Sequence, residues 1–173
     1  MLPIGVLHKF LVSPASRAAL VSGKALSAGV RALAQALIVY ALAAAMHVGL
    51  RWGLMPLLGI VIAVILGAAV FATFSLIVAC LVKTRERFMG IGQLLTMPLF
   101  FASNAIYPIA VMPTVLRWFA RINPLSYQTD ILRTLMLHGS TSTFGLPLDF
   151  AVLIGSLVLV IAIAAHIYPR VVL

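Results

Sequence analysis

Lys83 to Pro108 reads KTRERFMGIGQLLTMPLFFASNAIYP. Lys83, Arg85, Glu86 and Arg87 crowd its start, and no further charge follows before Arg117. That apolar stretch still carries Gln93, Thr96, Pro98, Ser103 and Asn104. Polar side chains are expensive inside a bilayer and are kept where they have partners or a task. The window therefore predicts a membrane helix over about 88–107, with a basic cytoplasmic end and a role beyond anchoring.

The rest of the chain agrees with that class. Its 173 residues are 64% hydrophobic and 9% charged, with mean hydropathy +1.19. A soluble domain of this length needs more charge to cover its surface. Several apolar runs exceed the roughly 20 residues that cross a bilayer. They do not alternate, which excludes a β-barrel. The fold class is all-α, a polytopic integral membrane protein with about four transmembrane helices. The formal charge of +9 sits mainly at the ends of apolar runs, as topology signals and contacts for anionic headgroups do. No solvated basic domain exists to hold a duplex, so nucleic acid is not an expected partner. Cys80, the single cysteine, reads as a small buried hydrophobe. Residues 1–24 lack the sustained apolar core of a signal peptide, so insertion is expected to use the internal spans.

Residues 3–12 (PIGVLHKFLV) form a short amphipathic segment. Ser13 and Pro14 then read as N-cap and first turn of an Ala-rich helix running to about Leu50. A turn, HVGLRWGLM, leads into a charge-free second span over 54–82. There Gly59, Ala63 and Gly67 recur every four residues, a stripe along which another helix approaches closely; plain tolerance of glycine in membrane helices is the alternative. Beyond Tyr107, Pro108, Pro113 and Pro124 punctuate two short helices, about 113–122 and 126–138. Val115, Phe119 and Ile122 share one face of the first, with Arg117 and Arg121 on another. Ser126 is the expected cap and Gly139 the expected stop of the second. Both are too short to cross and are read as interfacial or re-entrant. A loop over 139–148 precedes the last span, about 150–168, ended by Pro169 and Arg170. With the N-terminus in the cytoplasm the inner side holds Lys9, Arg17, Lys24, Arg31, Lys83, Arg85, Arg87 and Arg170. The outer side holds only Arg51, Arg117, Arg121 and Arg133, so the positive-inside rule places both termini in the cytoplasm.

The chemistry-bearing patterns are sparse. There is no G-x-x-x-x-G-K-[ST] phosphate loop, no Cys/His metal pattern and no G-x-S-x-G elbow, so neither a catalytic nor a metal site is expected. Glu86, Asp130 and Asp149 fall at expected interfaces, which disfavours a self-sufficient proton-coupled carrier. Gln93, Thr96 and Ser103 share roughly one face of the third span, with Asn104 beside it. They form either the wall of a translocation path or interhelical hydrogen-bond contacts. Asp130 and Arg133, three apart on a short helix, are expected to pair at the surface.

Three segments, in order, resemble the type-2 permease family of ATP-binding-cassette exporters. GVLHKFLVSPASRAALVSGK (5–24) is similar to the family's cytoplasmic coupling segment and entry to its third helix, with Ser13, Pro14, Ser16 and Arg17 as the core of the match. RERFMGIGQLLTMPLFFASNAIYP (85–108) resembles the fifth helix, and NPLSYQTDILRTLM (123–136) the segment leading into the outer gate. The resemblance implies a dimer, with a second copy or a paralogue, bound to separate ATPase subunits that hold the ATP and magnesium. It implies no cofactor in this chain. Gly5, His8, Lys9, Phe10, Ser13, Pro14 and Arg17 would couple to the ATPase. Gln93, Thr96, Ser103 and Asn104 would line the path. Pro108, Pro113, Asn123, Pro124, Asp130 and Arg133 would belong to the outer gate, re-entrant over 108–138. The family has six spans, so two are expected to precede Leu2. The implied role is a permease in the cell (inner or plasma) membrane, among membrane lipids. Its expected cargo is a drug or other hydrophobic compound ahead of polysaccharide or lipid. A non-transporting scaffold fragment and a small ion-coupled carrier are the alternatives.

Overall fold

The computed structural model describes residues 17–82 and 84–171. Gly5, His8, Lys9, Phe10, Ser13 and Pro14 lie outside the described residues, and Arg17 opens the first helix. The described residues form six α-helices: α1 (Arg17–Ala45), α2 (Leu54–Leu81), α3 (Arg85–Phe101), α4 (Thr114–Ile122), α5 (Pro124–Met136) and α6 (Leu146–Val171). A single turn of 3-10 helix, Ile109–Val111, precedes α4. Among the described residues three segments are long and apolar enough to cross a membrane: Leu26–Ala45 in α1, Leu54–Leu81, and Leu146–Ile167 in α6. This is an all-α polytopic membrane protein.

Helix ends follow from local chemistry. Sequence carries α1 to about Leu50, but it stops at Ala45 because His47 turns left-handed (φ 54). The amides of Met46, His47 and Val48 fold back on Leu42, Ala44 and Ala43 carbonyls, which satisfies acceptors the helix leaves open. The third span was expected to reach Tyr107. Instead α3 ends at Phe101, three residues past Pro98. Ser103 then competes for backbone groups: its Oγ donates to the Phe100 carbonyl at 2.6 Å and accepts from the Ala105 amide at 3.2 Å, as short hydroxyl side chains do at helix ends. With 17 residues, α3 is about 26 Å long. The last helix begins at Leu146 rather than 150, since Pro147 suits a first turn and Asp149 suits its positive end. It also continues through Pro169 to Val171, a proline whose fixed φ is helical.

The central element is α2. Of its most apolar window 44% is buried, against 6% in α1 and 11% in α6. It packs on α1, α5 and α6, whereas α3 touches the others sparsely. Ala63, Ile131 and Leu153, from α2, α5 and α6, are wholly buried in one cluster, ringed by Leu132, Leu135, Leu146 and Phe150. A smaller cluster of Ile109, Met112 and Ala120 seats α4, with Leu116 and Phe144 against it. The opposite face of α4, Val115, Trp118, Phe119 and Ile122, is exposed.

The small-residue stripe on α2 does admit a close neighbour, and the neighbour is the short α5. A Cβ on Gly59 would run into the tip of Leu135, and one on Gly67 into the amide of Gln128. Ala63 between them meets Ile131. The pairing 59 with 135, 63 with 131 and 67 with 128 makes the two helices antiparallel.

Candidate functional site

The residues with unusual environments converge on α5, and each attachment has a local cause. Asn-Pro at 123–124 starts the helix: Pro124 stands at the first position, where a missing N–H costs nothing. Asn123 is the N-cap, its Oδ1 accepting the Leu125 amide at 3.0 Å. Ser126, the expected cap, instead lies wholly buried inside the helix. Asn123 also donates from Nδ2 to the Leu99 carbonyl at 2.6 Å. Leu99 lies in the last turn of α3, where carbonyls lack helical partners. One side chain thus caps the start of α5 and the end of α3.

Asp130 and Arg133 do not pair with each other. Arg133 reaches back to Asn104, donating to its carbonyl at 2.9 Å and its Oδ1 at 3.4 Å. Asp130 is 1% exposed, far from the surface position expected for it. It accepts from the Thr143 amide at 2.7 Å, Thr143 Oγ1 at 3.0 Å, Ser142 Oγ at 3.0 Å and the Phe144 amide at 3.3 Å. A buried carboxylate needs several donors, and the loop before α6 supplies them. The Tyr127 ring lies against Phe144 at 4.7 Å and its hydroxyl donates to the Arg121 carbonyl at 2.5 Å. Asp149, also expected at an interface, is fully buried.

The C-terminal end of α5 is tied to the turn between α1 and α2. Leu50 and Leu137 form an isolated antiparallel bridge, with Arg51 N–H to the Met136 carbonyl at 2.8 Å and His138 N–H to the Gly49 carbonyl at 2.9 Å. From α1, Tyr40 donates to the Arg51 carbonyl of that turn at 2.9 Å and meets Trp52 edge to face.

The four residues read as one polar face are divided by the structure. Gln93 and Thr96 are exposed on α3, while Ser103 and Asn104 are buried in the turn beyond it. Pro108 and Pro113 flank the 3-10 turn, Pro113 as N-cap residue of α4. Arg117 is held by the Ala110 and Met112 carbonyls at 3.3 and 3.0 Å. Arg133→Gln should leave the buried Asn104 carbonyl short of its donor, at a cost of about 1–3 kcal/mol. The measurement is the thermal midpoint of the solubilised protein, which should fall below that of the wild type and be partly retained in Arg133→Lys.

Sequence reasoning missed the double duty of Asn123, the seat around Asp130 and the bridge at Leu50. Only the first had a signal, because asparagine directly before a first-turn proline is a cap signature.

These features define a helical membrane protein whose short hairpin, α4 and α5, is seated at one end of a central span. Residues 3–137 match the family described as ABC-2 type transporter, and the chain belongs to that family of transport permeases. Among curated proteins it is similar to the transport permease ycf38 of Cyanophora paradoxa, 35% identical over 68 residues, 39% of this chain and 23% of that protein. It is similar to nodulation protein J of Rhizobium meliloti (strain 1021), 32% identical over 76 residues, 44% of this chain and 29% of that protein. Nodulation protein J of Rhizobium leguminosarum bv. trifolii is 33% identical over 67 residues, 39% and 26% of the two chains. The matched part therefore spans under a third of the length of these relatives. No solved structure matches.

Proposed function

We propose that this chain is a membrane-spanning permease subunit of an ATP-driven exporter in the cell membrane, in which α3 crosses as a fourth span and both termini are cytoplasmic. The family match over residues 3–137 carries this reading. ATP and magnesium bind in a separate ATPase chain, which pushes on Gly5 to Arg17. The push rocks α1 and α2, and the α4–α5 hairpin acts as the outer gate. Gln93 and Thr96 are exposed among the described residues. They border a closed path only where a second copy or paralogue faces α3. The bare apolar face of α4 rests among lipids. The cargo is a drug or other hydrophobic compound ahead of polysaccharide or lipid.

The test is purification of the tagged chain from native membranes, followed by ATP-dependent transport in vesicles. The expected result is recovery of an ATPase bearing a phosphate-binding loop, lost when residues 5–17 are altered. Arg17→Ala should leave ATP hydrolysis running while transport stops. Transport that persists without any ATPase would overturn the reading in favour of an ion-coupled carrier.

A further inference from the structure

The loop between α5 and α6 is built as a strap with a left-handed glycine at each end, Gly139 (φ 76) and Gly145 (φ 99). Between them Ser142, Thr143 and Phe144 close over Asp130 through the four hydrogen bonds described above. Ser142 also touches a second acid: its Oγ stands 2.9 Å from Asp149 Oδ2 in the first turn of α6. The same Oγ accepts the Gly145 amide at 2.6 Å.

The hydrogens around Ser142 can be counted. A hydroxyl gives one proton and offers two lone pairs. One lone pair takes the Gly145 N–H, and the single proton serves one of two carboxylates. With both acids ionised, the other oxygen–oxygen contact has no hydrogen in it. One added proton closes the count: Asp149 donates to Ser142 Oγ, and Ser142 donates to Asp130. The asymmetry of the surroundings places it. Asp130 accepts three further hydrogens. Asp149 Oδ1 is buried with no partner among the described residues.

Among the described residues no basic group offsets the pair. α2 carries no ionisable residue other than Cys80. On α5, Arg133 is turned to Asn104, and Tyr127 donates to the Arg121 carbonyl. On α4, Arg117 is held by backbone carbonyls and Arg121 is exposed. His138 beside the strap is exposed, and His166 lies far along α6.

We propose that Asp130, Ser142 and Asp149 form a one-proton latch that fastens the strap 140–144 across α5 and α6, and that loss of the proton frees the strap. The fastened state holds one more proton than the free state. Its stability is therefore present at low pH and lost as pH rises through the latch midpoint.

The experiment is hydrogen–deuterium exchange of the full chain in lipid nanodiscs, reading the amides of Thr143, Phe144 and Gly145 from mildly acid to mildly alkaline pH. After correction for intrinsic exchange, opening should rise by up to about tenfold per pH unit while the closed strap still holds its proton, and level off once that proton is lost. Asp149→Asn supplies a permanent donor to Ser142 and should stay protected across the range. Asp130→Asn loses acceptor capacity and should be unprotected throughout. Unchanged protection of α2 amides is the folding control. If Asp149→Asn fails it, Ser142→Ala decides, since the pH dependence must then vanish. Wild-type protection that is flat with pH, or Asp149→Asn behaving like Asp130→Asn, would overturn the latch. The readout needs neither cargo nor ATPase, so it stands or fails apart from the transport reading.

Discussion

Ala63→Leu is expected to push α5 off α2 and to abolish accumulation of the folded protein. Ala63 is completely enclosed, with Ile131 and Leu153 against it. Added methyl and methylene groups in such a place cost about 1–3 kcal/mol even where neighbours shift. A shift taken by α5 would disturb its attachments to α3, to the strap and to the turn between α1 and α2. Gly67→Ala is the informative contrast. The nearest atoms to its new methyl are the amide end of Gln128, a flexible tip that swings aside, so the loss should be much smaller. Protease sensitivity in 139–145 and the thermal midpoint of the solubilised protein measure both. A stable Ala63→Leu protein with an unaltered strap would show that α5 is not held by this contact.

Asn123 gives the second large effect, in two separable parts. Asn123→Asp keeps an acceptor for the Leu125 amide but loses the donor to the Leu99 carbonyl. It places a carboxylate against a carbonyl oxygen at a buried site, at a cost of about 1–3 kcal/mol for the unmade bond. Asn123→Ala loses the cap as well, worth about 0.5–2 kcal/mol. Asn123→Asp should therefore remain a good cap by local criteria and still be destabilised. Urea titration of the solubilised protein reports the difference. Equal stability of Asn123→Asp and wild type would mean that the link to α3 contributes nothing.

The parts of this molecule legible in its sequence are those governed by local pattern. Charge-free runs gave the long helices, and the four-residue recurrence of Gly59, Ala63 and Gly67 gave a close helix contact, though not which helix makes it. The face drawn through Gln93, Thr96, Ser103 and Asn104 failed because it assumed a helix to Tyr107, whereas Ser103 captures backbone groups and ends the regular geometry. The spacing of Asp130 and Arg133 suggested a pair. Each found a stronger partner far along the chain, Arg133 at Asn104 and Asp130 at residues 142–144. Partners separated by a dozen or more residues leave no periodic trace. Burial of Asp130 and Asp149 was likewise invisible, since an acidic residue flanked by apolar ones reads as an interface.

The bridge at Leu50 and Leu137 has a mechanical consequence. α1 is a single rod of 29 residues, about 43 Å long. Its first residue follows the proposed coupling segment in sequence, and the turn after its last residue is stitched to the C-terminal end of α5. A displacement applied at the N-terminal tip of α1 thus has a load path to the hairpin through one rod and two backbone stitches. On that path the length of α1 is the constrained quantity: one residue added or removed would shift the stitch by about 1.5 Å and rotate it by roughly 100°.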